Sequence, residues 1–164
     1  MLVQQKLYFA YNYFNRSWAE YKVGFNDSRG NYWLGNDLLS QLTLTNRYKL
    51  KTELKSRNTS HWYYAEYSTF IVEPESDNYR LHVSGYSGNA GFDALSAHNQ
   101  HLFSTTDRHN DRFASDNCAA KSGGGFWYFN CCWACLNGYY GSFAWMNLPG
   151  GQPLQSSRMW LQCK

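Results

Sequence analysis

The densest run of ligating and reactive side chains lies between Phe103 and Gly138. Asp107, His109, Asp111, Phe113 and Ser115 fall there at alternate positions. In a tight loop such positions turn toward one centre, and oxygen donors at that spacing suit a hard cation such as calcium. Four of the five cysteines, Cys118, Cys131, Cys132 and Cys135, sit in the same stretch. An odd count leaves at least one thiol unpaired or paired with another chain. Cys163, one residue from the end, is the natural candidate. Cys132-Trp133-Ala134-Cys135 can be a redox dithiol, half of a zinc site or a local bridge. Redox catalysis needs a strand before the motif and a helix after it, whereas Leu136-Asn137-Gly138 reads as a turn. Zinc needs two more ligands, and no second C-x-x-C or H-x-H occurs. Phe126-Trp127-Tyr128 offers aromatic faces for a sugar ring or an acyl group, or simply rings for a core. There is no Ser-His-Asp order and no paired-carboxylate motif. Gly123-Gly124-Gly125 lacks the Lys-Ser/Thr of a nucleotide loop. Nothing here supports an enzyme.

These residues must be held by regular elements, which the periodicity places elsewhere. Val3 to Tyr13 has high strand propensity. Ser17 to Val23 predicts a short helix capped by Asn15 or Ser17. Asn26 to Gly30 is a turn cluster. Leu38 to Leu44 has the spacing of a second short helix. Tyr48 to Leu54 and Trp62 to Val72 alternate around a turn at Ser56 to Ser60, a hairpin pattern. Glu73 to Asn78 turns and Tyr79 to Val83 is a further strand. From Ser84 to Gly125 Gly, Ser, Asn and Asp dominate, the composition of a long functional loop region. Ser156 to Gln162 closes the sheet. The expected class is α+β: an antiparallel sheet, short helices and a large irregular loop subdomain. We read residues 1–164 as a single domain, with 1–83 and 156–164 forming the sheet region and 84–155 the loop-rich part.

The bulk composition narrows the function. Charged residues are only 16% and aromatics 19%, the reverse of a disordered chain. Abundant Tyr and Trp suit a recognition surface, since each has an apolar face and a polar handle. A net charge of +3 with no basic stripe argues against nucleic acid. No apolar run is long enough to insert in a membrane. Met1 to Ala10 carries Lys6 in its middle and has no secretory-signal core. Sequons at Asn15, Asn26 and Asn58 are about as many as chance allows.

Several words occur in a telling order. They are Trp18-Ala19-Glu20-Tyr21, Tyr32-Trp33-Leu34-Gly35-Asn36, the run from Tyr79 to Gly91, and Phe103 to Asp111. Asn117-Cys118-Ala119, Gly125-Phe126-Trp127-Tyr128, Asn130-Cys131 and Leu136-Asn137-Gly138 follow. This series resembles fibrinogen-related domains, the C-terminal globular module of ficolins, tachylectins, angiopoietins and fibrinogen. The resemblance covers nearly the whole chain, without the family's small N-terminal subdomain. The first strand is therefore expected to have an exposed edge.

The resemblance implies a site. It pairs Cys118 with Cys131 in a disulfide. It assigns calcium to Asp111 and to the carbonyls of Phe113 and Ser115, with His109 standing where the family has its first Asp. Imidazole is a poor calcium ligand, and Asp107 is the carboxylate nearby that can compensate. It expects a cis bond at Asn130-Cys131 beside a pocket that binds acetyl groups in relatives. Here Cys132 replaces the usual His, Cys135 replaces an Asn, and the Tyr139 to Trp145 loop is short. A remodelled pocket of Tyr128, Cys132, Tyr139 and Tyr140 follows. The implied function is a secreted, non-catalytic lectin of innate-immune type that binds glycans or glycoproteins and gains avidity as a homo-oligomer. The alternative is a protein-protein binding module.

Overall fold

The computed structural model describes residues 1–7, 12–112 and 115–164. Its frame is a seven-stranded sheet in the order β2-β3-β1-β9-β4-β5-β6, every pair antiparallel. The strands are β1 (Leu2–Lys6), β2 (Phe25–Asn26), β3 (Tyr32–Trp33), β4 (Tyr48–Ser56), β5 (Trp62–Val72), β6 (Leu81–Gly88) and β9 (Leu154–Cys163). A separate two-stranded sheet joins β7 (Ala134–Cys135) to β8 (Ala144–Trp145).

The register follows from alternation. On β4, Leu50, Thr52, Leu54 and Ser56 point inward, and Leu50 lies opposite Tyr67 of β5 and Leu161 of β9. A shift of one residue would turn all of these to solvent, so the hydrophobic pattern fixes the pairing. The last strand does not close the sheet at its margin. It lies between β1 and β4, so the chain's last strand is central.

Two short helices flank the sheet. In α1 (Trp18–Val23) Ser17 is the N-cap, and Ser17 and Glu20 form a reciprocal capping box. Helix α2 (Asn36–Thr43) buries Leu39, Ser40 and Thr43, and Thr43 Oγ1 accepts from the Val72 amide. A third, α3 (Cys118–Ser122), opens on an Asn117 cap and stops at Gly123 in the left-handed region.

The core joins these layers through rings. Trp33, Phe103, Trp127 and Phe70 stack edge-to-face or tilted, with centroids 5.1–6.1 Å apart. The polar tips of Trp127, Trp33 and Tyr21 find partners, which burial demands. Trp127 Nε1 donates to the Tyr79 carbonyl at 2.7 Å and Trp33 Nε1 to Asn36 at 3.0 Å. The Tyr21 hydroxyl donates to the Phe14 carbonyl and accepts from the Gly125 amide.

Three expectations need correction. β1 is not an exposed edge: β3 covers one side and β9 the other. β6 runs to Gly88, beyond the expected end at Val83, because Tyr86, Ser87 and Gly88 pair with β5 past Gly85. The loop-rich part also holds α3 and the β7-β8 pair, elements too short to leave a periodic signature. Residues 8–11 of the predicted first strand lie outside the described residues.

Candidate functional site

The loop that leads into the site is built by its own hydrogen bonds. The Thr105 amide donates to the Arg108 carbonyl at 3.0 Å and the Arg108 amide returns the bond at 3.1 Å, so the chain doubles back around Asp107. Asp107 Oδ1 accepts from the Trp18 amide at 2.9 Å and from Thr105 Oγ1 at 2.7 Å. That carboxylate is therefore engaged at the start of α1, where a helix's free amides favour negative charge. Asp111 has a fully buried side chain; His109 Nε2 lies 3.1 Å from its Oδ1, and the Cys118 amide donates to its Oδ2 at 3.2 Å. Ser115 is exposed in a turn, and Phe113 lies outside the described residues.

Among the described residues no group of three His, Cys, Asp or Glu side chains converges as a metal site. Calcium takes six to eight oxygens, and here one Asp serves α1 while the other faces an imidazole and an amide.

The cysteines converge on the end of α3. The Cys131 amide donates to Cys118 Sγ at 2.8 Å. Both thiols are free in this structure, as is Cys163. The bridge present is Cys132–Cys135, the local pairing open to the C-x-x-C motif, with Cα atoms 5.7 Å apart. Burial, and then the hydrogen bond with Cys131, push the Cys118 thiol well above its ordinary value. The Asn130-Cys131 bond is trans, contrary to the expected cis bond. Cys131 turns the chain with φ +61°, a left-handed conformation that costs a non-glycine residue roughly 1–2 kcal/mol.

His98 holds this turn in place, and no sequence motif marked it. It is wholly buried; Nδ1 donates to the Trp127 carbonyl at 2.7 Å. Nε2 accepts from the Ala134 amide at 3.0 Å and the Trp133 amide at 3.3 Å. Two amides facing Nε2 fix the tautomer, because an amide can only donate. Burial lowers the imidazole to about 4, so it is neutral at ordinary pH.

Between α3, this turn and β8 lies a cavity of about 470 Å³. Lys121, Ser122, Asn130 and Ser142 give it polar groups; the Cys132–Cys135 bridge, Tyr139 and Ala144 give it apolar walls. The Tyr139 amide and Ser142 Oγ both donate to the Ser122 carbonyl at 2.7 Å, which ties the short loop to the end of α3. At Gly123 a Cβ would meet the Tyr139 ring at 2.8 Å, so only glycine lets that ring close down.

Comparison with known proteins settles the family. A profile described as "Fibrinogen beta and gamma chains, C-terminal globular domain" matches residues 1–152. This chain belongs to the fibrinogen C-terminal domain family. It is similar to mouse microfibril-associated glycoprotein 4, with 42% identity over 134 residues, 77% of this chain and 51% of that protein. The chain thus spans about half the length of that relative. Its fold is similar to the fibrinogen-like globe domain of human ANGPTL6, with a TM-score of 0.89 and 35% identity across 99% of this chain and 77% of that one. It is also similar to lamprey fibrin D-dimer complexed with the peptide ligand Gly-His-Arg-Pro-amide, with a TM-score of 0.84 and 29% identity across 98% of this chain and 60% of that one.

Within this fibrinogen-like domain the four expected ligand residues separate. Cys132 and Tyr139 line the cavity. Tyr128 does not: its ring is fully buried and its hydroxyl donates to the Gly124 carbonyl at 2.5 Å, so it serves the core. Tyr140 also lies outside the lining. Its ring sits 4.5 Å from the Arg57 guanidinium, which donates to its hydroxyl at 2.8 Å. Lys121, Ser122, Ser142 and Ala144 are the lining residues that motif reading missed. Asn117 and Gly123 are legible caps of a short helix, and that helix carries Lys121 and Ser122 on the face of Cys118, three and four residues on.

Proposed function

We propose that this domain is a non-catalytic recognition module that binds glycans through a remodelled pocket, holding carboxylate-bearing sugars better than simple N-acetyl sugars. The cavity beside Cys131 carries this reading. It combines an aromatic wall, Tyr139, with the polar groups of Lys121, Ser122, Asn130 and Ser142. Few convergent polar groups in an otherwise apolar hollow are the usual form of a small-ligand site. No carboxylate lines it among the described residues, so acceptor-rich ligands fit better than cationic ones. By resemblance the setting is extracellular and of innate-immune type, with avidity gained by oligomerisation. No helix among the described residues is long and apolar enough to cross a membrane.

The second reading, a protein-binding module, is favoured by the peptide held by the lamprey fibrin relative. A glycan array run beside an immobilised peptide panel separates them. Retention on acetylated or carboxylated glycans supports the lectin. Retention on peptides alone supports the second reading.

We also propose that the domain works without tightly bound calcium, because His109 occupies Asp111 where an acidic ligand would be needed. Calorimetry is expected to show no tight calcium site in the unaltered protein. His109→Asp is expected to raise calcium affinity at least tenfold, about 1.4 kcal/mol. Tight calcium binding that is indifferent to His109→Asp would show that the imidazole is not the obstacle.

A further inference from the structure

The outward face of the three strands β9, β4 and β5 carries an ordered array that the cavity does not use. Lys55 lies opposite Trp62, Glu53 opposite both Tyr64 and Arg158, and Lys51 opposite Trp160 and Glu66. Trp62 and Tyr64, at the start of β5 where β6 does not reach, are 39% and 40% exposed. Two cations lie near the Trp62 ring, Arg158 at 4.9 Å and Lys55 at 5.8 Å from its centre. Lys51 lies 5.6 Å from the Tyr64 ring.

The charges on this face do not balance. Lys49, Lys51, Lys55 and Arg158 oppose only Glu53 and Glu66, an excess of two positive charges. Glu66 pairs with Lys49 at 3.0 Å and Glu53 with Lys51 at 3.2 Å. Among the described residues neither Lys55 nor Arg158 has a carboxylate within ion-pair distance. Arg158 Nε donates to Gln5 and the guanidinium carbon lies over the Trp62 ring. A hollow of about 220 Å³ opens beside Trp160, lined by Lys51, Glu53 and Gln162 among others.

We propose that this face binds a sulfated polysaccharide. Sulfates supply permanent negative charge for Lys55 and Arg158. The apolar faces of the sugar rings stack on Trp62 and Tyr64, as aromatic platforms favour. Sugar hydroxyls can donate to Glu53 and accept from Gln162. That mixture distinguishes the ligand from a polyanion of uniform charge. An acidic peptide offers neither ring faces for Trp62 and Tyr64 nor hydroxyls for Glu53. The site is separate from the cavity, since no residue of this array lines it.

The probe is size-defined heparin oligosaccharide, followed by surface plasmon resonance at about 0.15 M salt. Fully desulfated heparin and polyglutamate are run in parallel. The expected result is binding of the sulfated probe alone, weakened about tenfold by Lys55→Gln with Arg158→Gln and several-fold by Trp62→Ala. Tyr139→Ala, at the cavity, leaves it unchanged. Thermal melting of each variant confirms that the fold is kept. Three results each overturn the proposal: no heparin binding, equal binding of polyglutamate or desulfated probe, or affinity indifferent to the Lys55 and Arg158 changes in folded protein.

Discussion

Acidification from about pH 6.5 to about pH 4 is expected to remove roughly 3 kcal/mol of stability from this domain, and His98 is the main cause. Its folded value is held at about 4 by burial, against 6.5 for a free imidazole. The unfolded chain therefore binds a proton through this window and the folded chain does not. Protonation pulls toward the unfolded state, so stability is full above 6.5 and falls until the folded value is reached. The shift of about 2.5 units corresponds to roughly 3 kcal/mol. His101 is also lowered by burial and adds to the loss with the same sign. Glu20 and Glu75 have lowered values, through backbone and side-chain hydrogen bonds respectively. Their stabilisation is lost only as pH falls below their ordinary 4.5, so the interval above that belongs to the imidazoles. Urea titrations across this range check it. His98→Gln should be less stable at neutral pH, because three backbone groups lose their partner. Its stability should then change much less with acid. An equally steep acid loss in His98→Gln would place the effect elsewhere.

Oxidation is expected to join Cys118 to Cys131 and to add about 3 kcal/mol, the loop-closure value for a ring of this size. The two residues already touch through the Cys131 amide and Cys118 Sγ. Cys131 is the less buried partner, so an oxidant reaches it first. Non-reducing peptide mapping of protein from an oxidising compartment should recover Cys118 with Cys131 and Cys132 with Cys135. The variant Cys118→Ser with Cys131→Ser should then unfold at lower urea. Recovery of Cys118 and Cys131 as separately alkylated thiols would contradict this.

The frame of this domain is legible from periodicity where the elements are long. The alternation of Leu50, Thr52 and Leu54 predicts β4, and the short helix read over Ser17 to Val23 is α1. The central place of β9 is not legible, because alternation says which face is buried and nothing about neighbours. The site was half visible. Cys132 and Tyr139 are reached through the family resemblance, whereas Ser122 and Ser142 are ordinary residues that matter through tertiary position. Tyr128 misleads because a ring next to a motif reads the same whether it faces a ligand or the core. His98 carries no local signal at all, since its partners are 29 to 36 residues away.

The cavity is the centre of the account, and saturation-transfer NMR tests it most directly. The probes are N-acetylglucosamine, glucose and N-acetylneuraminic acid, with unaltered protein and the variants Tyr139→Ala and Tyr140→Ala. One buried methyl is worth only about 0.8 kcal/mol, so an acetyl group is selected only by a close wall and well-placed donors. With a disulfide in that wall, transfer to N-acetylglucosamine should be weak and little above glucose, and the carboxylated sugar should give the strongest signal beside Lys121. Tyr139→Ala should abolish transfer, and Tyr140→Ala should leave it intact, since only Tyr139 lines the cavity. Strong transfer to any of the three that survives Tyr139→Ala, or is lost in Tyr140→Ala alone, would place the ligand outside the cavity and contradict the account.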